Sequence, residues 1–285
     1  WNNKMIVENT IKQASKVLKN NNISTYILDA EIILSNIMDV SREFLIINSH
    51  MNISEKVIKK FNNKITRRVK KEPIAYIVGK KEFWKDDFSV NYSTLIPRPE
   101  TELLIYKIIK FFKYKRVNIL DIGTGSGCIL LSILKELPFS NGIGIDISAK
   151  AIKIAKENAE KMNLTFKSNF KVFNINDFKL GKYDLIVSNP PYIPTRDIKK
   201  LSADIINYEP FNALNGGQDG LDVIKKIIYK SRYLLKTNGL FAVEIGYNQY
   251  RKVSKFLKQQ GFREIHKEYD YKRNIRCIIS TKVCF

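Results

Sequence analysis

Apolar positions in this chain follow two different rhythms. Over the first 72 residues they recur at helical spacing, three or four apart, and no strand signal interrupts them. Asn9-Thr10 opens a first helix that carries Ile11, Ala14, Val17 and Leu18 on one face and runs into Asn20-Asn21-Asn22. Ser24 offers the N-cap of a second helix, with Leu28, Ile32, Leu34 and Met38 apolar. A short segment over 42–47 follows. Ser54-Glu55 then caps a long basic helix that must end before Pro73, because proline disfavours helical backbone at the residue preceding it. Residues 5–72 therefore predict a small helical domain. Next, Tyr76, Ile77, Val78, Phe83, Trp84, Phe88 and Val90 form two short apolar runs around Lys80-Lys81 and Lys85-Asp86-Asp87. That pattern predicts a β-hairpin linker, which with the loop after it spans 73–98. Pro97 and Pro99 stiffen the loop around Arg98, and Pro99 with the acids behind it suits the first turn of a helix to about Phe112.

From Val117 onward, near-continuous apolar runs alternate with amphipathic stretches. Strands are predicted at 117–122, 142–147, 170–175, 183–188, 240–245 and 275–281, and helices at 127–137, 148–162, 221–235 and 249–260. A run over 262–269 pairs antiparallel with 275–281 across Lys272–Asn274. Alternation of this kind predicts an α/β fold: a doubly wound, mostly parallel seven-stranded sheet over 99–285, preceded by the small helical domain and the hairpin linker.

Composition narrows the classes. The 285 residues suffice for one large domain and a smaller one. No apolar run approaches the roughly 18 residues that span a membrane, and no signal-peptide pattern opens the chain. A cytoplasmic monomer without a membrane partner is expected. Met5 is a candidate start, and Trp1–Lys4 are given no function. Three scattered cysteines (Cys128, Cys277, Cys284) suit a reducing compartment and argue against a disulfide framework or zinc site. His50 and His266 stand in no ligand spacing, which argues against metal and histidine catalysis; a loop or helix end is expected for the first, a strand surface for the second. The formal charge of +21 admits a nucleic-acid surface, yet lysine is spread through every segment of an Asn-, Lys- and Ile-rich chain, which favours compositional drift. A weak attraction to ribosomal or other RNA phosphate needs charge alone.

Two segments carry chemistry. Asp121-Ile122-Gly123-Thr124-Gly125-Ser126-Gly127 joins the first strand of the sheet to its first helix. Ligands of open α/β sheets bind beyond the carboxyl ends of strands, and glycines let the backbone approach them closely. Cys128 stands where a dinucleotide fingerprint would place glycine or alanine. Asp146 ends the second strand about 20 residues on, the spacing at which a carboxylate bridges ribose hydroxyls; a capping role beside Ser148 is its simpler reading. Asp177-Phe178 can meet an adenine, the acid at its amine and the ring by stacking, with ordinary core packing the alternative for Phe178. The second segment, Asn189-Pro190-Pro191-Tyr192, follows the strand 183–188. The Asn189 side-chain oxygen and the Pro190 carbonyl can each accept a hydrogen from a planar NH₂ group, the prolines aim the backbone, and the Tyr192 ring can stack on the flat group. With a nucleoside site upstream, this reads as amide or amine N-methylation.

The glycine turn, Asp146 and Asn-Pro-Pro-Tyr resemble a class I S-adenosylmethionine-dependent methyltransferase. The helical N-terminal region, Gly79-Lys-Lys-Glu-Phe83, Ile96-Pro-Arg-Pro-Glu-Thr-Glu102 and the segment from Tyr208-Glu-Pro-Phe to Leu221 narrow the resemblance to the HemK/PrmC family, across essentially the whole chain from Met5. The resemblance implies a Rossmann-like catalytic domain, S-adenosylmethionine converted to S-adenosylhomocysteine without a metal, and class 1 peptide chain release factors as partners, methylated at N5 of the glutamine in their Gly-Gly-Gln motif. Asp121, Ile122, Gly123, Thr124, Gly125, Asp146, Asp177, Phe178 and Asn189 are then the cofactor residues, and Asp121 either orients the cofactor's amino-acid end or holds the loop. Phe178 stands where some relatives carry tryptophan. Asn189, Pro190 and Tyr192 are the catalytic residues, and Pro191 joins them against the substrate. Arg98 and Glu100 either close over substrate or form a salt bridge at a helix start. The helical domain is expected to dock substrate. Asn-Pro-Pro-Tyr alone is shared with adenine-N6 methyltransferases of nucleic acid. That activity, glutamine methylation of a ribosomal protein and a catalytically idle RNA-binding module are the alternatives. Gly216-Gly217-Gln218 repeats the substrate motif within the chain, which is read as coincidence within a Gly-Gly-x-Asp-Gly turn, automethylation being the other reading.

Overall fold

The computed structural model describes residues 5–283; Trp1–Lys4, Cys284 and Phe285 lie outside them. The chain divides into two compact units. One ends at Lys80 and takes in Ser202–Tyr208. It holds α1 (Val7–Asn20), α2 (Tyr26–Met38), α3 (Arg42–Ile47), α4 (Glu55–Val69) and α5 (Ile74–Val78), whose apolar faces bury Leu18, Ile33, Leu34, Leu45, Phe61 and Ile77 together. Asp29 is buried there and accepts a hydrogen bond from Arg68 Nε at 2.6 Å, so neither charge is left unpaired. The short helix Ala203–Tyr208 belongs to the same unit, and Tyr208 Oη donates to the Lys70 carbonyl at 2.8 Å.

The helix α5 corrects the hairpin expectation. Tyr76, Ile77 and Val78 do not form a strand; Pro73 is the N-cap and Gly79 ends the turn in the left-handed region at φ +81°. Too short to display a period, that apolar run reads equally as strand or helix. Burial of Ile77 in the helical core decides it. The hairpin is the shorter pair β1 (Lys80–Phe83) and β2 (Asp86–Ser89), which forms a two-stranded sheet of its own.

In the second unit, a 3₁₀ turn at Pro99–Thr101 leads into α6 (Glu102–Phe112). Then follow β3 (Asn118–Ile122), α7 (Cys128–Glu136), β4 (Asn141–Asp146), α8 (Ala149–Lys161), β5 (Ser168–Val172) and β6 (Tyr183–Ser188). The helix Ala203–Tyr208 is α9 in chain order, and α10 (Phe211–Leu214), α11 (Asp222–Leu234), β7 (Leu235–Glu244), α12 (Tyr250–Gln259), β8 (Phe262–Tyr269) and β9 (Ile275–Lys282) complete the chain. The sheet order is β5-β4-β3-β6-β7-β9-β8, parallel through β7, with β9 antiparallel to both neighbours. The expected seven-stranded, doubly wound architecture is borne out. Strand residues alternate between two cores: Ile119, Leu185, Val187 and Ala242 meet α6, α7 and α8 on one face, while Leu120, Ile186, Phe241 and Val243 meet α11 and α12 on the other. Burial on both faces explains the continuous apolar runs. Strand ends moved: β5 stops at Val172, and β7 starts at Leu235, where its pairing with β6 is irregular.

Two consequences place the site. Strand order reverses at β3, with β4 and β5 to one side and β6 and β7 to the other, which places the carboxyl ends of β3 and β6 where open α/β sheets bind their ligands. In register, Ile122 lies opposite Ser188 and Ser188 opposite Val243. The residues that follow, Gly123 and Asn189 just past their strands and Glu244 as the last residue of β7, therefore stand side by side.

Candidate active site

The glycine turn is held from below. Gly123 N and Thr124 N both donate to the Ile145 carbonyl of β4, at 2.8 and 3.0 Å. Gly123, Gly125 and Gly127 all have positive φ (+74°, +55° and +79°), a conformation that side chains disfavour. They differ in what surrounds them. Nothing lies within 4 Å of the side-chain direction of Gly123 or Gly125, whereas at Gly127 Ala155, Leu131 and Phe170 stand 3.2 Å away. The first two glycines face open space and the third lets α7 pack close.

Asp121 is fully buried beneath the turn. Its Oδ2 accepts from Thr124 Oγ1 at 2.6 Å, while Oδ1 has no hydrogen-bond partner among the described residues. Burial pushes its carboxyl up to about 7; the Thr124 bond opposes the rise and the nearby Asp146 charge adds to it. Asp146 is half-buried at the end of β4. Oδ2 accepts from Gly125 N at 3.0 Å and Oδ1 from Ser148 N at 2.9 Å, and burial raises its carboxyl above the ordinary range. Capping of α8 falls to Ser148, whose hydroxyl accepts from Ala151 N at 3.2 Å. Asp146 thus ties the turn to β4 and keeps lone pairs for a ligand.

The adenine expectation needs correction at one residue. Phe178 is 1% exposed and sits in the core against Phe173 (ring centroids 5.4 Å) and Tyr183 (6.5 Å), so no ring face is presented for stacking. Asp177 beside it is exposed. Ile147, one residue past Asp146, is 58% exposed.

Asn-Pro-Pro-Tyr leaves β6 as expected, and side chains from far along the chain hold it. Asn189 Nδ2 donates to Thr101 Oγ1 at 3.1 Å, and Thr101 Oγ1 donates to Glu244 Oε2 at 2.6 Å. Tyr192 Oη donates to the other oxygen, Glu244 Oε1, at 3.3 Å and accepts from Arg276 Nη2 at 2.9 Å. The Arg276 guanidinium also lies 5.3 Å from the Tyr192 ring centroid. Glu244 is completely buried; burial raises its carboxyl, opposed by the Thr101 bond and the Arg276 charge. Tyr192 is pushed up to about 12 by burial and then by Glu244, so its hydroxyl stays protonated and is no general base at neutral pH.

Thr101, Glu244 and Arg276 were missed at the level of sequence. A signal existed for Glu244: a carboxylate closing the apolar run Phe241-Ala242-Val243 must have partners if buried. Arg98 is engaged elsewhere, in an ion pair with Glu209, whose Oε2 also accepts from Ile96 N at 3.3 Å. That is the salt-bridge reading of the loop; Glu100 is exposed. The internal Gly-Gly-Gln is a support. Gly216 N donates to the Ile193 carbonyl, Thr195 N donates to the Gly217 carbonyl (both 2.9 Å), and Gln249 Nε2 binds the Tyr192 and Gly220 carbonyls at 2.8 and 3.1 Å. A side chain at 216 would stand 2.8 Å from the Pro191 carbonyl. Packing behind Asn-Pro-Pro-Tyr accounts for these glycines, while Gln218 itself is exposed.

Among the described residues, no group of three or more His, Cys, Asp or Glu could hold a metal, and no helix is long and apolar enough to cross a membrane. Residues 113–281 match a methyltransferase domain and residues 9–79 a PrmC N-terminal domain. The fold is that of a methyltransferase: a solved Pyrococcus furiosus methyltransferase superposes with a TM-score of 0.50 at 18% identity, over 69% of this chain and 88% of that one. Release factor glutamine methyltransferases of Buchnera aphidicola from Schizaphis graminum and of Clostridium acetobutylicum are 43% and 37% identical. They align over 95% and 98% of this chain and 98% and 99% of their own. The chain belongs to the release factor glutamine methyltransferase family.

Proposed function

We propose that this chain transfers the methyl group of S-adenosylmethionine to N5 of the glutamine in the Gly-Gly-Gln motif of class 1 peptide chain release factors, in the cytoplasm. The observation that carries the reading is the Asn189 amide: its NH₂ is committed to Thr101, so its oxygen is left for an incoming NH₂ beside the open glycine turn. Two features fit the cofactor, namely the space over Gly123 and Gly125 and the unpartnered buried oxygen of Asp121. Asp121 would take the ammonium group and Asp146 the ribose hydroxyls. Ile122 and Thr124 shape the turn, and Asp177 and Ile147 would flank the adenine.

Bound there, S-adenosylmethionine supplies an electrophilic methyl on a positively charged sulfur. A carboxamide nitrogen is a poor nucleophile because its lone pair is delocalised. Asn189 Oδ1 and the Pro190 carbonyl would hold its two hydrogens and turn the lone pair towards the methyl. Positioning of this kind supplies on the order of 7–11 kcal/mol when geometry is near-attack. Tyr192, fixed at its hydroxyl, would wall the amide plane with Pro191 and add about 1 kcal/mol. Methyl transfer would leave the nitrogen acidic while Asn189 Oδ1 and the Pro190 carbonyl still hold its hydrogens, and the surplus proton would pass to water.

Incubation with methyl-labelled cofactor and either release factor, ribosomal protein or DNA tests the reading. Label in release factor, lost when the motif glutamine is replaced, is expected; label in DNA alone would overturn it. The helical unit is the proposed dock for the rest of the release factor, since interfaces of useful affinity bury about 1,200–2,000 Å² and a glycine-rich tip cannot. Deleting residues 5–72 should raise KM for whole release factor far more than for a short Gly-Gly-Gln peptide. Equal losses on both would leave the helices a stabilising role only.

A further inference from the structure

Thr101 and Glu244 stand in line behind the Asn189 amide. Arg276 Nη2 lies 3.7 Å from Glu244 Oε1 and opposes the effect of burial by favouring the ionised carboxylate. That form has no hydrogen to give, so the 2.6 Å contact between Thr101 and Glu244 uses the threonine proton. The threonine oxygen then has only lone pairs for Asn189, and only the NH₂ end of the amide can meet it. The amide oxygen is thereby turned to the acceptor side. Reversing any one link, for instance by placing a donor at position 244, would let Thr101 give its proton to Asn189 and would present NH₂ to the substrate, where a second NH₂ cannot be bound. The same carboxylate takes the Tyr192 hydroxyl on its other oxygen, and Arg276 bonds that hydroxyl in turn.

We propose that Glu244, acting through Thr101, is a positioning residue that fixes the Asn189 amide with its oxygen towards the acceptor NH₂, and that it sets the Tyr192 ring by the same carboxylate. This rests on the reading of the site as an N-methylation centre and adds what enforces the polarity of its acceptors. The relay is built from four elements: Thr101 at the start of α6, Asn189 after β6, Glu244 at the end of β7 and Arg276 in β9. All four side chains belong to the sheet unit.

The test is a double-mutant cycle read with cofactor affinity. Thr101→Val should lower kcat by about tenfold, the scale of one lost hydrogen bond, and Glu244→Gln by about ten- to a hundredfold, the scale of one made to a charge. Both should leave cofactor Kd within about threefold, and Thr101→Ser should restore kcat, since the hydroxyl alone is needed. In an Asn189→Ala background, Thr101→Val should cost nothing further, because there is no amide left to orient. Additive losses, or a Thr101→Ser variant as poor as Thr101→Val, would overturn the relay. A readout independent of any acceptor is the Asn189 Nδ2 proton resonance. It should be protected from solvent exchange in the wild type and Thr101→Ser and lose protection in Thr101→Val; an unprotected proton in the wild type sinks the relay. If wild-type protein labels no release factor while the proton is protected, the functional reading fails and the relay stands.

Discussion

The site has two halves that are assembled in different ways. At the ends of β3 and β4, the contacts are short in sequence: Thr124 reaches Asp121 three residues back, and Gly125 meets Asp146 across 21 residues. At the ends of β6 and β7, Asn189 reaches Thr101 across 88 residues, Thr101 reaches Glu244 across 143, and Arg276 reaches Tyr192 across 84. The first half is a loop and the strand beside it, shaped mainly by backbone. The second is a side-chain network that exists only once four elements have docked. A cradle of backbone can change its ligand's affinity without much change in geometry at the reacting atom. A network of side chains controls the angle of that atom. Damage to the two halves should therefore separate into cofactor affinity and turnover.

The sharpest break should come at Asn189. Asn189→Ala removes one preorganised polar group at the proposed reacting centre, a loss on the order of 2–4 kcal/mol in kcat/KM. Calorimetric cofactor affinity should change little, because this side chain bonds Thr101 rather than the glycine turn. Cofactor binding abolished in step with activity would move Asn189 into the other half and erase the distinction.

Asp146→Ala should show the converse with a smaller effect. If Asp146 accepts from the ribose hydroxyls as proposed, losing it should weaken cofactor binding by about 1.5–3 kcal/mol, and turnover at saturating cofactor should stay near wild type. Unchanged affinity would reduce Asp146 to its two backbone bonds, with Gly125 and Ser148.

The same contrast governs what could be read from the chain. The seven strands, the glycine turn and the position of Asn-Pro-Pro-Tyr were legible because each is a contiguous pattern, apolar runs buried on both faces or a turn between strand and helix. Phe178 stays open between adenine and core at the level of sequence, because a ring next to a site and a ring inside a core look alike until Phe173 and Tyr183 are seen closing on it. The helix α5 was misread because burial rather than period determines so short a run. Thr101 stood inside a motif already noticed, yet its role depends on Glu244, and nothing local joins position 101 to position 244. Long-range partners lie outside what spacing can reveal.

The smallest expected effect concerns Asp121, and it tests the local half on its own terms. Burial holds this carboxyl at about 7, against 3.8 for the free side chain. A raised folded value means that the folded state binds the proton more tightly than the unfolded chain does. The stability that Asp121 contributes is thus complete below about pH 4 and is lost as pH rises through 7. Asp121→Asn carries no titrating proton, so its Tm should fall less than that of the wild type between pH 5 and pH 8. Ligand binding runs the other way. If Oδ1 takes the cofactor's ammonium, the ionised form binds better, and Kd should tighten several-fold from pH 6 to about 7.5, before an α-amino group itself begins to lose its proton near 8. In Asp121→Asn that acid limb should vanish. A wild-type Kd that is flat over the same range would mean that Asp121 only holds the turn through Thr124 and that the ammonium is bound elsewhere.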